Sequence, residues 1–336
     1  MKNIKKFIAL IIFFILILAA TVFMVIKINE RRNNQARASI ISTSFVGYDF
    51  ARAVNGDNNG IKMLLKPGAE SHDYEPSPQD IIDIEKADLF IYVGGESEAW
   101  VEKILHDNNI DKSKTLRLMD LVELKEEETV EGMEETSHEH EHKEETEHEE
   151  GEHSGEHEEE TEYDEHIWTS PKNAIKLVEA IQVKMIQRKP TESDKYTENT
   201  ARYTAKISEL DAKFREIVAS SPKKELIFGD RFPFRYFVDE YELKYYAAFP
   251  GCAEQAEASS NTVAFLIDKI KQDDIQVVLK IELTAGNLAK TIAEETGAKV
   301  MELNSAHNVS AEDFERGVTY VDIMTENTEV LAEALK

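Results

Sequence analysis

Ten histidines are the residues of this chain best suited to chemistry, and they fall into two groups. Six of them, His138, His140, His142, His148, His153 and His157, lie within twenty residues and are interleaved with carboxylates. Imidazoles alternating with acids suit borderline divalent ions such as zinc, so capture of metal is expected here in preference to a plain acidic spacer. His138-Glu139-His140-Glu141-His142 also spells the His-Glu-x-x-His signature of zinc proteases. That signature works by placing both histidines on one face of an amphipathic helix, and this stretch has no apolar face with which to pack one. The protease reading is therefore set aside.

Four histidines remain: His72, His106, His166 and His307. His106 ends an amphipathic stretch starting near Glu98 and is expected to be structural. The other three must be judged by the elements that carry them. Short apolar runs at 40–45, 62–67, 89–94, 225–230, 245–250, 277–282 and 299–304 read as strands, separated by amphipathic helices. Strands alternating with helices imply parallel sheets, here in two α/β lobes. Between the lobes, Tyr203, Ile207, Leu210, Phe214 and Ile217 form one apolar stripe on a long helix, bounded by Pro190 and by Ser220-Ser221-Pro222. The expected organisation is an N-terminal segment over 1–38, a lobe over 39–190 containing a disordered acidic loop at 126–162, a stiff joining helix over 191–221, and a second lobe over 222–336.

In open α/β sheets, ligands collect at the carboxyl ends of the strands. Those ends carry His72, Asp230, Glu282, and Asn304 with His307, while His166 precedes a helix that Ser170 and Pro171 should start. Convergence of such residues from both lobes points to a metal in the cleft between them.

The segments PGAESHDYEPSPQDI, DLFIYVGGESEAWVEKIL and DEHIWTSPKNA resemble those of the substrate-binding proteins of bacterial zinc and manganese ABC transporters, and the likeness spans about residues 39 to 335. The resemblance implies a two-lobed receptor that binds a metal in its cleft and delivers it to an ABC transporter permease, without catalysis. It places His72 and His166 as the first two metal ligands. It also favours Zn2+ over Mn2+, because zinc members carry a His-rich charged loop between those two positions. At the family's third ligand this chain has Arg231, which cannot bind a cation and is expected to pair with an acid; at the fourth it has Asn304. The inferred set is therefore His72, His166, His307 and Asp230, with Glu282 as a further oxygen donor, since three nitrogens and a carboxylate suit four-coordinate zinc. A surface adhesin or metal-buffering protein on the same fold, or a manganese receptor, are the alternatives. Cys252 is read as a free thiol.

Composition sets the remaining bounds. The stretch from Glu126 to Glu165 holds 21 acidic residues against the single Lys143, and so carries 20 of the 27 net negative charges. The rest is only mildly acidic and has no Lys/Arg cluster after Arg37, which argues against a nucleic-acid partner. Residues Phe7 to Ile26 contain one polar residue, Thr21, and are long enough to cross a bilayer. An uncleaved anchor is expected, with the folded part outside the cytoplasm. With Cys252 as its only cysteine, the sequence offers no disulfide and no lipid-bearing cysteine after the apolar run.

Overall fold

The computed structural model describes residues 39–69, 74–133, 162–251 and 258–336, together with Met24. His72, Cys252, the six histidines of the acidic segment and the apolar stretch 7–26, apart from Met24, lie outside these residues. Among the described residues no helix is long and apolar enough to cross a membrane.

The first sheet is built from β1 (Ile40–Ser42), β2 (Ile61–Met63), β3 (Leu89–Tyr92) and β4 (Thr115–Arg117), joined by helices α1 (Phe45–Asn55), α2 (Pro78–Lys86) and α3 (Ala99–Asp107). Its order is β2-β1-β3-β4 and every pairing is parallel. After a short turn of 3-10 helix at Ile167–Thr169 come α4 (Pro171–Arg188) and the 28-residue α5 (Ser193–Ser220). The second sheet contains β5 (Glu225–Phe232), β6 (Lys244–Pro250), β7 (Val277–Lys280) and β8 (Lys299–Glu302), with α6 (Arg235–Tyr241), α7 (Ser260–Gln272) and α8 (Asn287–Thr296) between them. It is again all parallel, in the order β6-β5-β7-β8. Helices α9 (Ala311–Arg316) and α10 (Tyr320–Ala334) finish the chain.

The two α/β lobes and the long helix are as the sequence implies, but two elements differ. The run at 40–45 is strand only to Ser42; Phe45 already opens α1. That helix buries Phe45, Val46, Tyr48, Asp49, Phe50, Ala51 and Val54, and keeps a narrow polar stripe of Asp49, Arg52 and Asn55. β4 has only three residues, too few for alternation to show.

The lobes are not independent bodies. Tyr203, Ile207, Leu210 and Phe214 of α5 are buried in a core that also contains Leu89 and Ile91 of the first sheet and Phe228 and Leu279 of the second. Helix α10 lies along α5 and returns the chain to the first lobe. There the buried Asp49 accepts from Arg52 Nε at 3.0 Å and from the Tyr320 backbone N–H at 2.9 Å, and also accepts from the Tyr203 hydroxyl. Arg52 in turn donates to the Val318 carbonyl.

The acidic segment is closed at its base. Glu126 and Tyr163 form an antiparallel bridge, Glu127 N–H donates to the Glu162 carbonyl at 2.9 Å, and Asp164 N–H donates to the Lys125 carbonyl at 2.9 Å.

Candidate metal centre

Each sheet has one switch point, where successive strands lie on opposite sides of the first: between β1 and β3 in one, between β5 and β7 in the other. Chain leaving such strands diverges and opens a crevice. Both crevices are present. One crevice is lined by Arg231 and Pro233 from the end of β5, Glu282 after β7, and His166, Ser305 and His307. A second cavity, at the first sheet, is lined by Thr43, Ser44, Ser97, Glu98 and Trp100, and again by His307. His307 therefore stands between the two lobes' crevices.

His166 is fixed before its ring reaches the cavity. It is only 1 % exposed, on the turn that Ser170 terminates by capping α4 through the Asn173 N–H. Asp164 Oδ1 accepts the His166 backbone N–H at 2.8 Å and faces Nδ1 at 3.2 Å. A carboxylate can only accept, so the proton sits on Nδ1 and the Nε2 lone pair is left for a metal. Burial works against the imidazolium, but Asp164, with Glu165 and Glu127 adding to it, outweighs burial and raises the His166 pKa above the ordinary histidine value. Glu165 is anchored separately by the Ser97 N–H at 2.9 Å and the Ser97 hydroxyl.

His307 is held by backbone bonds. Ala306 before it adopts a left-handed φ of 59°, a strained turn for a residue with a Cβ. Glu282 supports that turn: its carboxylate accepts from Ser305 N–H at 2.7 Å, Ser305 Oγ at 2.6 Å and His307 N–H at 3.2 Å. Asn308 then crosses to the other lobe, donating from Nδ2 to the carbonyls of Lys66 and Ala69 at 2.9 and 2.8 Å. Those two carbonyls belong to the loop that leads to His72.

The His166 and His307 rings lie 5.2 Å apart between centroids, and Trp168 sits 5.5 and 5.3 Å from them. Two imidazoles bound at about 2.0–2.1 Å to one tetrahedral ion have centroids roughly 5 Å apart, so this spacing admits a shared metal. An edge-to-face contact has the same spacing. What distinguishes the pair is that both rings line one crevice. Trp168 braces it, donating from Nε1 to the Ser305 carbonyl at 2.7 Å.

Of the expected site residues, the structure thus brings together His166, His307 and Glu282. Asp230 does not line the cavity: its carboxylate accepts from Arg231 N–H at 2.9 Å, Thr284 Oγ1 at 2.7 Å and Ile281 N–H at 3.3 Å, stitching β5 to the loop after β7. Glu282 lines it, but its carboxylate is occupied by the 305–307 turn. Asn304 accepts from Ala306 N–H at 2.8 Å and serves the same turn. Among the described residues no three His, Cys, Asp or Glu side chains form a cage by themselves. His106 is exposed, with its Nδ1 3.0 Å from Asp107 Oδ1. Ser97, Trp168 and Ser305 work in this site without having been singled out as site residues in the sequence. Trp168 and Ser97 lie inside the quoted segments DEHIWTSPKNA and DLFIYVGGESEAWVEKIL, while Ser305 left no signal there.

Residues 40–334 match the model of a family described as zinc-uptake complex component A, periplasmic. The high-affinity zinc uptake system protein ZnuA of Bacillus subtilis is 32 % identical over 302 residues, covering 88 % of this chain and 87 % of that protein. The zinc-binding lipoprotein AdcA of Streptococcus pneumoniae is 28 % identical over 319 residues; the match takes in 95 % of this chain but spans only 60 % of the AdcA length. The crystal structure of the Zn(II)-bound ZnuA-like domain of that AdcA superposes with a TM-score of 0.69 at 27 % identity, over 88 % of this chain and 98 % of that domain.

Proposed function

The chain belongs to the family of periplasmic A components of zinc-uptake complexes, and on that premise we propose that it is an extracytoplasmic receptor that captures Zn2+ in the cleft and passes it to an ABC permease. The observation that carries this reading is the His166–His307 pair, 5.2 Å apart in one crevice between two sheets. Zinc is the cargo and no bond of a substrate is made or broken.

The ligand set read from the sequence, His72, His166, His307 and Asp230 with Glu282 behind it, enters this proposal unequally. His166 and His307 are supported by geometry. His72 is supported by the clamp of Asn308 on the carbonyls of Lys66 and Ala69, which holds the chain at 66–69 against the His307 turn. Asp230 and Glu282 are supported least, because each carboxylate already accepts three hydrogen bonds. Three imidazoles leave one tetrahedral position to fill. The acidic histidine segment is proposed to gather zinc near the cleft, and the apolar stretch 7–26 to anchor the chain in the membrane. The relative AdcA is named a lipoprotein, whereas the only cysteine in this sequence is Cys252.

The test is calorimetric titration of residues 39–336, lacking 134–161, with zinc and with manganese. One tight zinc site, weakened about a hundredfold or more in His307→Ala, is expected from loss of a ligand. Unchanged zinc affinity in that variant would remove His307 from the site, and absence of any tight site would remove the receptor reading.

A further inference from the structure

The turn that carries His307 belongs to the second lobe, yet the first lobe grips it on both flanks. Before it, Trp168 Nε1 holds the Ser305 carbonyl. After it, Asn308 meets a turn of the first lobe made by Lys66, Pro67, Gly68 and Ala69. Proline second and glycine third is the signature of a type II turn. Gly68 takes the left-handed φ of 79° that such a turn needs, and the Ala69 N–H closes it onto the Lys66 carbonyl at 3.0 Å. Asn308 Nδ2 donates to the carbonyls at both ends of this turn, Lys66 at 2.9 Å and Ala69 at 2.8 Å. Asn308 Oδ1 accepts the Val309 N–H at 2.8 Å, and the Gly68 N–H donates to the Val309 carbonyl at 2.7 Å. A carboxamide has two N–H donors, and both are engaged here on the other lobe. Asn308 is 3 % exposed, and it lines the crevice of His166 and His307 together with Ala69.

We propose that Asn308 is a positioning residue for zinc: by locking the Pro67-Gly68 turn onto the His307 turn, its side chain sets ligands from opposite lobes at one point before the metal arrives. This rests on the receptor reading above and deepens it. His307 is the neighbour of Asn308 in the chain, so the backbone that the carboxamide fixes is the backbone that aims the imidazole. On the other side, His72 follows Ala69 by three residues, a span of about 11 Å at most. The clamp therefore governs the separation of two proposed ligands that belong to different lobes. Glu282 does not do this, because its bonds to Ser305 and His307 order the turn from within the second lobe. Donors placed in advance lose less conformational freedom when the ion binds, which tightens binding. They also discriminate: zinc takes four short bonds in a tetrahedron, whereas manganese favours an octahedron of oxygens, so a cleft held at the smaller shape disfavours manganese. Asn308, with its own donors and acceptor engaged, acts through its neighbours.

The experiment is a double-mutant cycle on the full chain in detergent, with zinc affinity measured by competition against a chromophoric chelator. Melting curves first establish a temperature at which every variant is folded. Asn308→Ala is expected to weaken zinc binding by about tenfold or more in the wild-type background. In a His72→Ala background, where the ligand it places is gone, the same change should cost less than about twofold. Manganese affinity should fall less than zinc affinity, so discrimination between the two metals narrows. Asn308→Ser, whose hydroxyl keeps one donor, should lose less than Asn308→Ala; if the alanine variant does not fold, the serine variant carries the cycle. A lowered melting temperature with unchanged zinc affinity of the folded protein would show a merely structural role and overturn the proposal. An equal loss in both backgrounds, or an equal fall for zinc and manganese, would overturn it too. In each of these cases the wild type still binds zinc tightly and the receptor reading stands, whereas a wild type without a tight zinc site would remove both.

Discussion

At the scale of single residues, the chemistry of the cleft depends on which groups hold protons. Zinc needs a neutral imidazole, and the raised pKa of His166 means that protons begin to compete at a higher pH than for an ordinary histidine, whose value is about 6.5. Zinc affinity is therefore expected to hold in mildly alkaline buffer and to fall early as the pH drops. Asp164→Asn removes the charge that raises His166 and also the acceptor that fixes its tautomer. Competition titrations across pH should show affinity weakened by about 10- to 100-fold at high pH, with the acid-side fall moved to lower pH. For the metal-free protein the sign is the reverse. A histidine whose folded-state pKa is raised stabilises the fold while protonated, fully below its unfolded value, and that contribution is lost as pH rises through the folded value. Glu98 acts with it: burial, partly offset by the Gly94 N–H, pushes its pKa up to about 7, so the folded state holds a proton that the unfolded chain has released. Metal-free thermal stability should accordingly decline between about pH 5 and 7, and Glu98→Gln should flatten that decline.

At the scale of elements, position is set by close approach and by caps. Gly229 in β5 lies against the start of α8, where a Cβ would come within 2.6 Å of the Ala289 Cα. Gly229→Ala must push β5 off α8 and move Asp230 and Arg231 with it. A loss of about 1–3 kcal/mol is expected from overpacking, read in denaturant unfolding, together with weaker zinc binding. The acidic segment behaves oppositely. Because its ends are clipped at Glu126–Tyr163, deleting 134–161 should leave the melting temperature nearly unchanged while lowering cellular uptake when zinc is scarce. Much at this scale was legible. Ser170, followed by proline, marks the start of α4, and the α5 stripe shows its buried face. The roles of Asp230 and Glu282 were hidden, because a strand-end acid has the same appearance whether it binds metal or ties down a loop. Only the partners decide, and Thr284 and Ser305 lie 54 and 23 residues away.

At the scale of the whole molecule, the two lobes share one core, and the tie between them is polar at its centre. Asp49 joins α1 to α5 through Tyr203 and to α10 through Tyr320, and Tyr320 Oη donates to the Trp168 carbonyl at 2.9 Å beside the proposed metal ligands. Asp49→Ala leaves Arg52 without its counter-charge in a largely buried place. A loss of about 3–5 kcal/mol is expected, and calorimetry should show both lobes melting in one shifted transition, not one lobe melting early. A wide hinge is also absent from such an arrangement. On the proposed function, zinc is then expected to leave by movement of the loops that carry its ligands, and not by parting of the lobes.

The same tie bears on how the protein is made. Asp49 can meet Arg52 and Tyr203 earlier, but it gains Tyr320 only when the last helix has been synthesised, so an emerging chain cannot complete its core until then. Completion of the fold is thereby deferred to the end of synthesis, a property that suits a chain exported unfolded, as the proposed extracytoplasmic role would require.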